Sequence, residues 1–294
     1  MASVFAVGVS VLDFFFHVDD LPQEGMKYRS LDAGITGGGM AASASVAISR
    51  LGGEAHLAAR LGDDIVSELV LAELAGFGVN VDHVHRAPGG RSAFSSVTVD
   101  RNGERQIVNF PGRGLAEDTG WLDAVPRHDV ILADTSWLPL MEKALRLARR
   151  HDVPSVVDGE RRADVDMLKL ATHLAFSRQG AADLTGEKTA LASLKSMAGV
   201  FSNWLCVTDG VHGAYVSHRG KIDHIPARDI DARNTLGAGD VWHGAFALML
   251  AEGRADCDAV GFANAAATLR CSRAGGRESF PDRDEVNSFI NDHG

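Results

Sequence analysis

Short apolar runs alternate along this chain with longer stretches in which apolar residues recur every three or four positions. The runs at 4–9, 130–133, 155–158, 174–177 and 205–208 are nearly continuous and read as strands covered on both faces. Helices are predicted at 40–51, 65–77, 138–150, 190–198, 241–251 and 256–270. Gly52, Gly78 and Gly253 follow three of these and read as C-caps, where glycine accepts the left-handed conformation that ends a helix. Alternation of this kind predicts an α/β layered fold with a mostly parallel central sheet. Its ligand is expected at the carboxyl ends of the strands.

Two segments break the rhythm. The first, 14–32, holds Phe14-Phe15-Phe16, then Leu21-Pro22, then Lys27-Tyr28-Arg29. The second, 92–110, contains Asp100-Arg101-Asn102-Gly103 between apolar runs at 93–99 and 106–110. Asn-Gly supplies the positive φ of a tight turn, so this segment reads as a β-hairpin. Neither segment alternates with helices. The chain therefore divides into a core of 1–13, 33–91 and 111–294 and an addition of 14–32 and 92–110.

At 294 residues the chain can bury a large core, and 45% hydrophobic with 23% charged residues is ordinary for a globular protein. A net charge of −10 argues against a nucleic-acid partner, since phosphate backbones need a basic face. Cys206, Cys257 and Cys271 are scattered, with no disulfide framework or metal spacing, so a reducing cytoplasm is expected. The N-terminus carries no basic leader or cleavage site, and no run approaches the roughly 18 apolar residues of a membrane span.

The chemistry concentrates at Asn234-Thr235-Leu236-Gly237-Ala238-Gly239-Asp240. This nearly bare turn opens an apolar helix, so its peptide N–H groups and the helix dipole converge on one spot that attracts anions. Asp240 sets a carboxylate beside that anion hole. Two readings stand: Asp240 caps the helix, or it removes a proton from a hydroxyl that attacks phosphorus.

This motif resembles the C-terminal signature Asp-Thr-x-Gly-Ala-Gly-Asp of the ribokinase-like (PfkB) family of carbohydrate kinases, with Asn234 at its first position. Gly37-Gly38-Gly39, opening a helix of small residues, resembles the family's second feature, and the likeness covers the whole chain. Asn102-Gly103-Glu104-Arg105 and 271–277 resemble the sulfofructose kinase and ketohexokinase branches. The resemblance implies a three-layer α/β/α sandwich with a small β-sheet lid over the sugar, often shared in dimer contacts. It implies an ATP- and Mg²⁺-dependent sugar kinase acting on a ketose or an anionic relative, and it leaves a monovalent cation open.

On that resemblance, Asp240 is the general base, and the N–H groups of Gly237, Ala238 and Gly239 stabilise the moving phosphoryl group. Asp13, Gly37, Gly38 and Gly39 meet the sugar. Thr208, Gly210 and Gly213, in a Thr-x-Gly-x-x-Gly loop, hold the nucleotide with Thr235, Ala263, Asn264, Ala267, Cys271, Gly275 and Gly276. For the alanines, plain core packing is the competing reading. Lys27, Arg29, Arg91, Arg105 and Arg113 lie in or beside the lid and either hold an anionic group on the sugar or guard exposed strands from mispairing. Sulfofructose kinases hold the sulfonate with a Lys, an Asn and an Arg; Lys27 and Asn109 match two of these, and Ser136 stands at the third.

Departures matter as well. Ala42 stands where many sugar kinases carry an Asn, which weighs against ribose and simple fructose. The family's Asn-x-x-Glu, tied to magnesium, becomes Ser177-Arg178-Gln179-Gly180, so the acid is missing and no protein ligand for the metal can be named. A nucleoside kinase and a sugar-binding regulatory protein without turnover are the alternatives. A dinucleotide oxidoreductase lacks its glycine fingerprint, since the first strand ends in Val7-Gly8-Val9-Ser10.

Overall fold

A computed structural model describes residues 1–160 and 163–292. The core range 111–294 read from sequence therefore includes four positions, 161, 162, 293 and 294, outside the described residues.

Strands β1 (Ser3–Val7), β2 (Val11–His17), β3 (Asp32–Gly38), β4 (Glu54–Ala58), β5 (Arg60–Gly62) and β6 (His85–Ala87) come first. Then follow β7 (Phe94–Val99), β8 (Arg105–Phe110), β9 (Val130–Asp134), β10 (Ser155–Gly159), β11 (His173–Ser177), β12 (Trp204–Thr208), β13 (Ala214–His218) and β14 (Lys221–Ile225). The helices are α1 (Met40–Arg50), α2 (Ile65–Gly76), α3 (Leu138–His151), α4 (Val165–Leu168), α5 (Arg178–Thr185), α6 (Ala190–Ala198), α7 (Ala238–Ala251), α8 (Asp256–Cys271) and α9 (Arg283–Asp292).

The main sheet has eight strands in the order β14-β13-β12-β11-β10-β9-β1-β4. It is parallel from β4 through β12 and antiparallel at β13 and β14. Its faces are buried in two separate apolar clusters. Val4 and Ala6 of β1 face one cluster with α1, α7 and α8, while Phe5 and Val7 face the other with α3 and α6. Burial on both sides is why these strands read as unbroken apolar runs. This is the three-layer sandwich the sequence implied.

The predicted strand at 4–9 stops at Val7, because the chain must turn at Gly8. A β-carbon on Gly8 would collide with the Asp134 carboxylate. That carboxylate accepts N–H bonds from Val9 at 2.7 Å and from Ala41 in the first turn of α1 at 3.2 Å, pinning the turn beneath the sheet's carboxyl edge.

The smaller sheet has the order β3-β2-β7-β8. The hairpin of β7 and β8 closes at Gly103, with φ 82°, as Asn-Gly requires. The sheet also takes in 11–13 and 33–38, which the sequence reading had left in the core. Asp13 and the first glycines of the Gly-rich loop thus stand at the root of the lid, and no strand forms between His17 and Asp32. Among the described residues no helix is long and apolar enough to cross a membrane.

Candidate active site

The glycine-rich turn enters α7 with Gly237 as its N-cap at φ 74°, a conformation that favours glycine. Asp240 makes no capping bond and sits in the first helical turn, so the capping role belongs to Gly237. Asn234 holds the turn in place. Its Oδ1 accepts from the Leu236 N–H at 3.0 Å, and its Nδ2 donates to the Gly275 carbonyl at 3.2 Å. The Ala238 N–H is drawn to the Thr235 carbonyl at 3.2 Å, whereas Gly237 and Gly239 line the cleft.

That cleft, about 640 Å³, runs between the lid and the sheet's carboxyl edge. Asp240 and Gly237 lie on its wall together with Ser10, Gly39, Arg60, Arg105, Asn109, Ser136, Trp137 and Glu160. Asp240 opens onto the cleft but is walled by protein elsewhere. Burial pushes its carboxyl up to about 7, Asp158 and Glu160 push the same way, and His243 and Arg277 pull the other way. A carboxylate that titrates near neutrality is matched to accepting a proton at physiological pH. His243, one turn further along α7, is buried with its ring nitrogens on the carbonyls of Gly239 (2.9 Å) and Ala175 (3.3 Å) and 3.3 Å from Asp158. Burial holds this imidazole below its usual range and raises Asp158 well above the carboxylate range.

The lid presents one row of polar residues. Asp13 pairs with Thr36 on one side and Ser95 on the other, and Ser95 pairs with Asn109. Directly paired residues share a face, so Asp13 and Asn109, singled out separately in the sequence, stand on the same side of the lid. The Asn109 amide donates to Ser95 Oγ at 3.1 Å. Asp13, Gly37, Gly38, Gly39, Asp240 and Arg277 enclose a chamber of about 100 Å³. The loop's glycines have internal reasons to be bare. A β-carbon at Gly38 would strike Asp13, and one at Gly39, where φ is 96°, would strike the Val9 carbonyl.

A second, mostly apolar slot of about 180 Å³ lies beyond the turn, lined by Thr208, Gly210, Gly213, Trp242, Asn264, Ala267 and Cys271. Thr235 and Gly239 line both the slot and the cleft, so the two spaces meet at the anion hole. Ala263 does not line the slot. It is fully buried in the core, as its competing reading held. Gly275 is also outside it, with its carbonyl taken by Arg270 and Asn234, and Gly276 borders the chamber beneath Asp240 instead.

Several expected sugar contacts fall elsewhere. Lys27 and Arg29 lie exposed in the strandless stretch between β2 and β3, away from the cleft wall. Arg91 stacks on Phe110, 4.7 Å from its centroid, and its backbone pairs with that of Arg113. Ser136 reaches the cleft wall, but its hydroxyl is bonded to Asp134. Conversely, sequence reading passed over Arg60, Trp137 and Glu160. Arg60 stacks on Trp137 at 3.9 Å, a pairing across 77 positions of chain that no local pattern announces. Arg277, buried beside Asp240, was also missed as a site residue, although the stretch containing it had been singled out. Among the described residues no cluster of three or more metal-ligating side chains occurs.

Comparison with known proteins accords with this geometry. Residues 1–283 match the model of the pfkB family carbohydrate kinases. The ribokinase of Bacillus subtilis (strain 168) is 26% identical over 298 residues, covering 99% of this chain and 100% of that protein. A solved structure from Agrobacterium tumefaciens, provisionally described as a ribokinase, is 33% identical with a TM-score of 0.88, covering 99% of this chain and 98% of that one. Arabidopsis thaliana ribokinase, solved with ribose and ATP, shares the fold with a TM-score of 0.89 at 22% identity, with 98% of each chain covered. These relatives carry ribokinase names and bear on neither the sulfofructose nor the ketohexokinase branch. With the family match spanning nearly its whole length, the chain belongs to the pfkB family of carbohydrate kinases and is a phosphotransferase with an alcohol acceptor.

Proposed function

We propose that the enzyme transfers the γ-phosphoryl group of ATP to a primary hydroxyl of a ketose or anionic ketose, fructose- or sulfofructose-like. The observation that carries this reading is a single cleft lined both by Asp240, Gly237 and Gly239 and by Arg60, Arg105 and Asn109. The acceptor hydroxyl gives its proton to Asp240 as its oxygen attacks phosphorus in line. The glycine amides and the positive end of α7 stabilise the charge that develops on the phosphoryl oxygens. Asp13 accepts from sugar hydroxyls, and the two arginines with Asn109 meet an anionic or strongly polar group at the far end of the sugar.

The apolar slot fits adenine, and Thr208, Gly210 and Gly213 on its lining are the residues for the ribose and phosphates. The relatives' ATP complex supports this assignment. Mg²⁺ screens the triphosphate when bound. The acid missing at position 180 has a steric cause: a β-carbon there would overlap the Gly159 carbonyl. The carboxylate that would serve the ion is Glu160, next to that carbonyl and on the cleft wall.

Ribose is the second reading, favoured by the names of the relatives. Against it stands Ala42, fully buried in α1 and with no polar side-chain atom to offer a sugar. We also propose a homodimer through the lid, because Ile35, Ile107 and Val108 are 57%, 58% and 71% exposed on its two edge strands.

The test is ADP release with D-fructose, its phosphorylated and sulfonated derivatives, D-ribose and inosine, alongside thermal shifts with an ATP analogue. Turnover of a ketose above ribose and inosine supports the reading. Preference for ribose or inosine, or sugar binding without ADP release, overturns it.

A further inference from the structure

The buried guanidinium of Arg277 is only 2% exposed, yet it reaches three separate parts of the site. Its Nη1 lies 3.0 Å from Glu73 Oε2 on α2. Its Nη2 donates to the Gly38 carbonyl at 2.8 Å, and Nε and Nη2 lie 3.3 and 3.2 Å from Ser43 Oγ on α1. The other oxygen of Glu73 accepts the Gly37 N–H at 2.9 Å. One ion pair therefore grips two consecutive residues of the glycine loop from both sides. Gly37 is bare for that reason, since a β-carbon there would collide with both the Glu73 carboxylate and the Arg277 guanidinium.

A buried ion pair is a poor device for stability alone, because desolvation consumes most of its attraction. Its placement here suggests another use. Arg277 lines the chamber that also holds Asp13 and Asp240, the carboxylates aimed at the acceptor. We propose that Arg277 is a positioning residue: paired with Glu73, it fixes the glycine loop against the anion turn and sets a balanced positive charge beside the base. This rests on the reading of Asp240 as general base.

The charges around Asp240 define what the pair must do. Asp158 and Glu160 at the end of β10 oppose its ionisation, and His243 on α7 and Arg277 from the C-terminal loop favour it. Asp13 on β2 shares the chamber, and Glu73 on α2 neutralises part of the Arg277 charge. Removing Arg277 therefore raises the Asp240 midpoint, and removing the Glu73 charge lowers it.

The test is a carbon-13 NMR titration of aspartate side-chain carboxyls in the ligand-free protein, with the Asp240 signal identified by its absence in D240N. In R277M the midpoint should rise by about one pH unit. In E73Q it should fall, and in R277K, which keeps the charge, it should stay near the native value. An unchanged midpoint in R277M, a shift of the same sign in E73Q, or an R277K shift as large as that of R277M overturns the proposal. Should R277M not fold, the E73Q and R277K titrations decide it alone. Failure of the base reading is separate: it appears as turnover retained in D240N, whatever the titrations give.

Discussion

Gly180 lies against the backbone carbonyl of Gly159, with no space between them for a β-carbon. Position 180, in the first turn of α5, therefore cannot carry an acidic side chain, and Glu160 is the neighbouring carboxylate that reaches the cleft. E160Q is expected to raise the Mg²⁺ concentration for half-maximal activity by about 10-fold or more, as loss of an outer contact to a metal does. An acid placed at position 180 in that variant (G180E) should not restore it. A Mg²⁺ titration of initial rates reads both outcomes, and an unchanged midpoint in E160Q removes Glu160 from the metal's surroundings.

Activity is expected to be independent of potassium. The Arg270 guanidinium, 1% exposed, donates to the carbonyls of Arg273 and Gly275, each at 2.9 Å, and Asn234 donates to Gly275 as well. These oxygens beside the anion turn are already served by fixed donors. Initial rates in potassium, sodium and tetramethylammonium chloride at equal ionic strength should agree within a factor of two or so. A requirement for potassium contradicts this account.

How much of this was legible in the chain follows from which interactions are local. Five of the parallel strands announced themselves as short apolar runs, but β4 did not, because Glu54 and His56 interrupt its apolar residues at the edge of the sheet. The anion turn announced itself too, since glycine, alanine and aspartate stand next to one another in sequence. The lid's reach was less visible: β2 and β3 take in Asp13 and Gly37, where the strand ends and the functional loop begins in the same few residues. Least visible were pairings of distant residues. Arg277 and Glu73 are 204 positions apart, and neither sits in a motif that implies the other. Ala263 was misplaced because it and Ala267 are spaced to share a helix face, and only packing distinguishes the core-facing one from the one at the slot.

The lid is expected to pair two copies of the chain. Ile35, Ile107 and Val108 are exposed on its edge strands, whose unpaired backbone is a template for pairing with another chain. Sedimentation at micromolar concentration should give a dimer for the native protein and a monomer for the I35K, I107K, V108K combination. A native monomer contradicts the expectation.

Stability should carry the mark of Asp240. Its folded midpoint of about 7 lies above the ordinary 3.8, so the folded state holds that proton more tightly than the unfolded chain. Stability from this group is fully present below about pH 4 and is lost as pH rises through about 7. D240N removes the loss. Its melting temperature should exceed that of the native protein by a margin that grows from pH 5 to pH 8, reaching a few kcal/mol in stability terms. A margin that shrinks over this interval contradicts the raised midpoint.

The most direct measurement is the turnover of D240N with the best acceptor from the sugar panel, together with the pH profile of the native enzyme. The account predicts that D240N binds an ATP analogue normally but loses roughly 10²- to 10⁴-fold in kcat. It also predicts that native kcat/KM falls as pH drops below about 7, where the carboxylate takes up its proton. Turnover within a few-fold of native, or a rate that stays level from pH 8 to pH 5, would contradict it.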